Sequence, residues 1–176
     1  MKNVPKFETK RLIVRLVSLE DFQDYYEFCS DPLVCKYLTF NPYTSSYQAK
    51  KTIENMIRAY LAETDFNYSI VLKDTLKVIG SISLSFKENH IAEIGYILNS
   101  KYWNNGYISE VVNSFVSIAF IYFDVNIIIA KYLQENIASE KILIKNGFYK
   151  TNIIQNGFIK NGIYYNLVEC QRHNNA

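Results

Sequence analysis

Two stretches of the chain carry residue types and spacings that could do chemistry. The first is Glu93-Ile94-Gly95-Tyr96-Ile97-Leu98, followed across a polar loop by Trp103-Asn104-Asn105-Gly106-Tyr107-Ile108-Ser109-Glu110. This pattern predicts a strand, a loop, a glycine and a helix start. The first amides of a helix have no internal acceptor, and with the macrodipole they form an anion site that needs no basic side chain. Gly106 lets the backbone approach a bulky anion such as a pyrophosphate. An ordinary strand-to-helix turn has the same spacing, so both readings stand. The second stretch is Asn136-x-x-Ser139, then Lys145-Asn146-Gly147-Phe148, a helix stopped by a C-terminal glycine.

Composition limits what these residues can serve. A chain of 176 residues builds one domain with a sizeable core and is short for two. An apolar share of 49% with 20% charged residues excludes a largely disordered chain. With 19 Lys and Arg against 17 Asp and Glu, the net charge is +2, which argues against a nucleic-acid partner. Cys29, Cys35 and Cys170 form an odd set without a C-x-x-C, which fits a reducing compartment. His90 and His173 lie far apart in sequence, and no metal is expected. The start has no apolar leader, and the apolar run over 111–125 is too short and too polar to span a bilayer. A cytoplasmic protein with no membrane partner is therefore expected. The 15 Tyr and 11 Phe occur in a chain rich in Ile, Asn and Lys, and read first as compositional drift.

The frame that must hold these stretches is legible in outline. Residues 11–17 alternate and predict a strand. Ser18 with Asp21 resembles a capping box that opens a helix to about residue 29. Asp31-Pro32 restarts a short helix, and Asn41-Pro42 breaks the chain. Ala49, Ile53, Met56, Ile57 and Tyr60 recur at helical spacing over 45–62. Residues 66–72, 78–86 and 91–98 read as an antiparallel meander with polar turns. A long apolar helix runs from Gly106 to about 123, then a strand over 125–131 whose Ile run predicts burial on both faces. A helix over 136–146 leads to strands over 148–154 and 163–170 around the Asn161-Gly162 hairpin signal, and 171–176 reads as a frayed tail. No linker or repeat interrupts residues 1–176, which read as one α+β domain whose mixed sheet has its parallel pair across the Gly106 helix.

Taken in order, several pieces resemble one family. They are Thr9-Lys10-Arg11-Leu12 with Arg15, Asp21, Ser30-Asp31-Pro32, Glu93-Ile94-Gly95-Tyr96, Trp103-x-x-Gly106-Tyr107-x-Ser109-Glu110, Asn136-x-x-Ser139, Lys145-Asn146-Gly147-Phe148 and Asn161-Gly162. The chain resembles the GCN5-related N-acetyltransferase (GNAT) superfamily, in the branch similar to ribosomal-protein (alanine) N-acetyltransferases, over nearly its whole length. The resemblance implies a central mixed, mostly antiparallel sheet with helices on both faces. It implies acetyl transfer from acetyl-coenzyme A to a primary amine, on a peptide or protein N-terminus or a small molecule, by direct attack in a ternary complex. The alternative is a catalytically silent coenzyme A-binding module. Trp103 and the amides of Asn104, Asn105, Gly106, Tyr107, Ile108 and Ser109 would hold the pyrophosphate. A gap beside Ile97 and Leu98 would admit the pantetheine arm, Asn136 would hydrogen-bond it, and Ser139 would face the sulfur. A monomer and a homodimer are both compatible.

The chemistry adds its own demands. A protonated amine must lose a proton before it attacks, and Glu93 is the nominated base, with a pairing to a neighbouring strand's Lys as the bland alternative. The Leu98 amide is the candidate donor to the carbonyl oxygen. Ser139 can donate to the leaving thiolate, or simply satisfy backbone in its helix turn; Tyr132 and Tyr149 are alternative donors. Three positions depart from the family: Asn104-Asn105 where Gly-Lys or similar is usual, Ile108 where a small residue is usual, and Asn166 where Asp is usual. Tyr37, Phe40, Tyr43, Tyr47, Phe158, Tyr164 and Tyr165 are candidates for an aromatic acceptor wall.

Overall fold

The computed structural model describes residues 6–174. In chain order it holds β1 (Phe7–Glu8), β2 (Leu12–Leu16), α1 (Phe22–Cys29), α2 (Pro32–Cys35), α3 (Ser46–Leu61), β3 (Asp65–Leu72), β4 (Val78–Phe86), β5 (Ile91–Leu98), α4 (Tyr107–Tyr122), β6 (Ile127–Leu133), α5 (Ile137–Lys145), β7 (Tyr149–Lys160) and β8 (Ile163–His173). The strands form one sheet in the order β1-β2-β3-β4-β5-β6-β8-β7. Every neighbouring pair is antiparallel except β5 and β6, which run parallel across α4.

Strand periodicity sorts side chains to two cores. Leu12 and Val14 of β2, with Phe66, Tyr68 and Ile70 of β3, pack against Ile108, Val111, Val112, Phe115, Val116 and Ala119 of α4. Ile13, Val17 and Val71 face the other way, against Tyr25 and Phe28 of α1 and Ala49 and Ile53 of α3. The buried α4 positions recur at helical spacing, which is why this helix lies flat on the sheet. On β5, Ala92, Ile94, Tyr96 and Leu98 face α4 and α5, and Ile97 faces α1 and α3.

The expected elements recur, with β1 added at the sheet edge and β7 running to Lys160 rather than 154 because it pairs with β8 up to the hairpin turn; three further differences have local causes. α1 is preceded by a short 3-10 turn over Leu19–Asp21, where the Ser18 amide donates to the Asp21 carboxylate at 3.0 Å. The strand expected from 125 begins at Ile127, because Val125 is a core residue beneath α4 and Asn126 donates its amide to the His90 carbonyl. The tail expected to fray from 171 is strand as far as His173, because Gln171, Arg172 and His173 pair with β6 at Ile129, Ile128 and Ile127. The last two expected tail residues lie outside the described residues. Asn161 and Gly162 have positive φ (50° and 80°) and close the β7–β8 hairpin. Among the described residues, no helix is long and apolar enough to cross a membrane.

Candidate active site

The site begins where β5 and β6 part. Their register runs Ile91↔Ile127 to Ile94↔Ala130 and stops there, although β5 continues to Leu98 and β6 to Leu133. On its other edge β5 stays paired with β4 as far as Gly80↔Leu98, and Asn99 donates its amide to the Ile79 carbonyl at 2.8 Å. Alternation then directs the Ile97 amide toward β4 and the Tyr96 and Leu98 amides toward the side β6 has left. The Leu98 carbonyl, on that same edge, accepts from the Trp103 indole at 2.9 Å. That bond bends the chain into the loop that precedes α4.

The loop ends in an amide cradle. Gly106 caps α4 in a left-handed conformation (φ 77°), and Asn104 is also left-handed (φ 61°). The first helical bond across this turn is Glu110 N–H to the Gly106 carbonyl at 3.1 Å. Among the described residues, the backbone amides over 104–109 have no acceptor outside the helix, and the first turn supplies none within it. The Asn105 side chain folds back on the carbonyls of Tyr102 and Trp103. Ile108, the bulky residue at a usually small position, is 5% exposed and points into the α4 core, so it offers the outside only its amide. Ser109 accepts from the buried Asn146 side chain at 3.1 Å, which joins the start of α4 to the end of α5. These unpaired amides at a helix N-terminus fit a diphosphate.

Carboxylates bolt the cradle to the rest of the fold. Glu110 receives the Thr9 hydroxyl, the Arg11 amide (3.0 Å) and the Arg11 guanidinium (2.8 Å). Burial pushes the Glu110 carboxyl up, but the Thr9 and Arg11 donors outweigh it and hold it below its ordinary value. Behind the loop, Glu27 on α1 receives Lys77 (2.6 Å), Lys101 (2.9 Å) and the buried Asn99 side chain (3.1 Å). Lys77 first, then Lys101, draw its carboxyl down to about 2. Ser100 donates to Asp31, the cap of α2. The loop is thus fixed to the helices on the opposite face of the sheet.

The other nominated residues fall on both faces. Asn136 caps α5, its side-chain Oδ1 accepting the Ser139 amide at 3.2 Å, and among the described residues its side-chain NH2 has no acceptor. The Ser139 hydroxyl has no partner among the described residues. Tyr96, which sequence reasoning passed over, donates to the Ser139 carbonyl at 3.4 Å across the open side of β5, and burial pushes its phenol up to about 12. Glu93 lies on the α1–α3 side between Lys87 (3.7 Å) and Lys131 (3.6 Å), and Lys131 also reaches Glu169. Tyr132 is buried with its hydroxyl on Glu140, whereas Tyr149 is exposed beside His173.

The aromatic set does not form one wall. Phe40 and Tyr43 stack at 5.1 Å and pack into the α1–α3 core, and Tyr47 and Tyr164 are largely exposed. Tyr165 lines a cavity of about 250 Å³ between α2 and the β7–β8 hairpin, with Pro32, Lys36, Asn41 and Lys160. The Lys160 ammonium closes one side by donating to the carbonyls of Cys35, Leu38 and Phe40 at 2.6–3.0 Å. Asn166 donates to Gln134 and accepts the Asn156 amide, a pair of bonds that an ionised Asp could not make.

Known proteins are similar to this chain in sequence and in fold. The profile of the acetyltransferase (GNAT) domain matches residues 11–149. An uncharacterized N-acetyltransferase, p20, of Bacillus licheniformis is 37% identical over 131 residues, 73% of each chain. A GNAT-family acetyltransferase structure from Bacillus anthracis superposes with a TM-score of 0.87 at 21% identity, over 96% of this chain and 98% of that one. RimL, a ribosomal L7/L12 alpha-N-protein acetyltransferase solved in complex with coenzyme A, gives 0.84 at 20% identity, over 97% of each chain. The profile over residues 11–149 and the 37% identical relative show the family: the chain belongs to the GNAT family of acyl-coenzyme A-dependent N-acetyltransferases.

Proposed function

We propose that the protein transfers the acetyl group of acetyl-coenzyme A to a primary amine, with the two substrates approaching the β5–β6 gap from opposite faces of the sheet. The carrying observation is the gap itself. It opens at Ile94↔Ala130, with the α4 cradle on one face and Glu93 and the α2–hairpin cavity on the other. The cradle amides over 104–109 bind the diphosphate, the Leu98 amide and the Asn136 NH2 hold the pantetheine arm, and Ser139 lies toward its sulfur end. The bound co-substrate supplies an activated thioester. The chain supplies position, which alone accounts for much of such a rate.

Geometry refines one assignment. Glu93 precedes Leu98 by five residues, about 16 Å at ~3.3 Å per residue. A base works within hydrogen-bond reach or through one water. One carbonyl therefore cannot use both Glu93 and the Leu98 amide. The Tyr96 amide opens on the same edge about 10 Å from Glu93, and is the donor consistent with Glu93 as base through water. Replacing Glu93 by Gln keeps the shape and removes the base. Turnover is expected to fall by about a hundredfold, the usual scale for a general base, with a changed pH–rate profile. An unchanged rate and profile would remove Glu93 from the reaction and leave it as the link between Lys87 and Lys131.

The acceptor is a peptide amino terminus or a small amine that fits between α2 and the hairpin. The test of the whole reading is a thermal melt with acetyl-coenzyme A, coenzyme A, ATP and NADH in turn. At a hundred times Kd, a ligand of the native state adds about 2.7 kcal/mol, or roughly 5–10 °C for a chain of this size. A shift confined to the two coenzyme A forms is expected. No shift would overturn the cofactor assignment, and a shift without coenzyme A release in the presence of amines would favour the silent binding module.

A further inference from the structure

Residues 104–109, which form the cradle, include no Lys or Arg. Asn104 and Asn105 stand where the family resemblance expects Gly-Lys, and Lys101 is held by Glu27 at 2.9 Å. The fold brings a cation from elsewhere. Arg11 sits just before β2, and its guanidinium covers the Tyr107 ring with Cζ 4.2 Å from the centroid. Its Nη2 lies 3.8 Å from where a β-carbon on Gly106 would be. Nε and Nη2 each reach Glu110 at 2.8 Å. A guanidinium carries five N–H donors in one plane. Glu110 engages two of its nitrogens, and among the described residues Nη1 has no acceptor. The side chain keeps 39% exposure, so a fixed plane presents a free edge beside the cradle.

We propose that Arg11 is the cation of the diphosphate site, held in place by Glu110 and Tyr107. The inference rests on the cradle reading and deepens it. Glu110 alone would set a negative charge in the first turn of α4, where a dianion has to bind. Paired with Arg11 it becomes neutral and orients a donor, while Thr9 and the Arg11 amide hold its remaining oxygen. A planar fork suits phosphate oxygens better than the point charge of a lysine.

Coenzyme A binding, measured by calorimetry at low and high salt, tests the proposal in wild type, Arg11→Gln and Arg11→Lys. S-acetylpantetheine, which lacks the diphosphate, is the comparison substrate. Arg11→Gln is expected to weaken coenzyme A about tenfold or more at low salt, one lost charge-assisted contact. The deficit shrinks at high salt, and KM for S-acetylpantetheine moves far less than KM for acetyl-coenzyme A. Arg11→Lys recovers part of the affinity and serves as the second variant if Arg11→Gln does not fold. Equal losses toward both substrates, a loss indifferent to salt, or an unchanged coenzyme A affinity would each overturn the proposal. If the wild type does not bind coenzyme A, the cradle reading fails first and carries this inference with it, a result visible before any substitution is made.

Discussion

Replacing Gly80 by Ala is expected to lower the melting temperature by about 5–10 °C, the effect of ~2–3 kcal/mol of overpacking in a chain of this size, and to lose most acetyl-coenzyme A binding as well. A β-carbon at Gly80 would stand 2.3 Å from the Ile97 carbonyl oxygen and 3.1 Å from the Leu98 Cα. Both are backbone atoms, so no rotamer change relieves the contact. β4 and β5 must separate at that point. Past Ile94 the end of β5 has no strand paired to its other edge, because the ladder with β6 stops there. The easiest displacement therefore carries β5 into the gap. Gly95→Ala is the internal control, since its β-carbon would meet only the Ser83 hydroxyl at 3.3 Å, and that group can rotate away. Circular-dichroism melts and calorimetry on both variants check the pair. Equal, small effects at Gly80 and Gly95 would mean that the close approach at Gly80 does not set the gap.

How much of this was legible in the chain depends on the distance over which each feature is encoded. β4 and β5 were readable to the residue because polar turns bracket an alternating run. The Gly106 cradle was readable because glycine and helix start adjoin in sequence. Ile108 could be read two ways until α4 was seated on the sheet, and burial then decided it. The polar ending Gln171, Arg172 and His173 reads as tail from composition, but β8 lies between β6 and β7 and needs strand there whatever its side chains. Arg11 is separated from Glu110 by most of the chain, so no local pattern joins them. Tyr96 was hidden among 15 tyrosines, and only its reach to Ser139 across the gap sets it apart. A glycine within a strand announces a close approach in general, but not that Ile97 makes it.

Gly106→Val should separate binding from folding more cleanly. Gly106 is left-handed (φ 77°), where a side chain costs about 1–2 kcal/mol, so the melting temperature should fall by only a few degrees. The first β-carbon has room, its nearest neighbour being Arg11 Nη2 at 3.8 Å. A branched side chain, however, would add two methyls beside Arg11 Nη2 at the N-terminus of α4, where the amides over 104–109 open. Blocking two charge-assisted hydrogen bonds at ~1.5 kcal/mol each weakens acetyl-coenzyme A by about a hundredfold or more. Circular dichroism should show the native sheet, and calorimetry should show the lost affinity. Gly106→Ala carries left-handed strain without the branched side chain, and the melting temperatures of the two variants measure the extra strain of β-branched valine so that it can be subtracted. Equal affinities for the two variants would assign the loss to strain, and native affinity in Gly106→Val would place the diphosphate away from α4. The intermediate position of alanine is therefore the result that ties the anion to these amides.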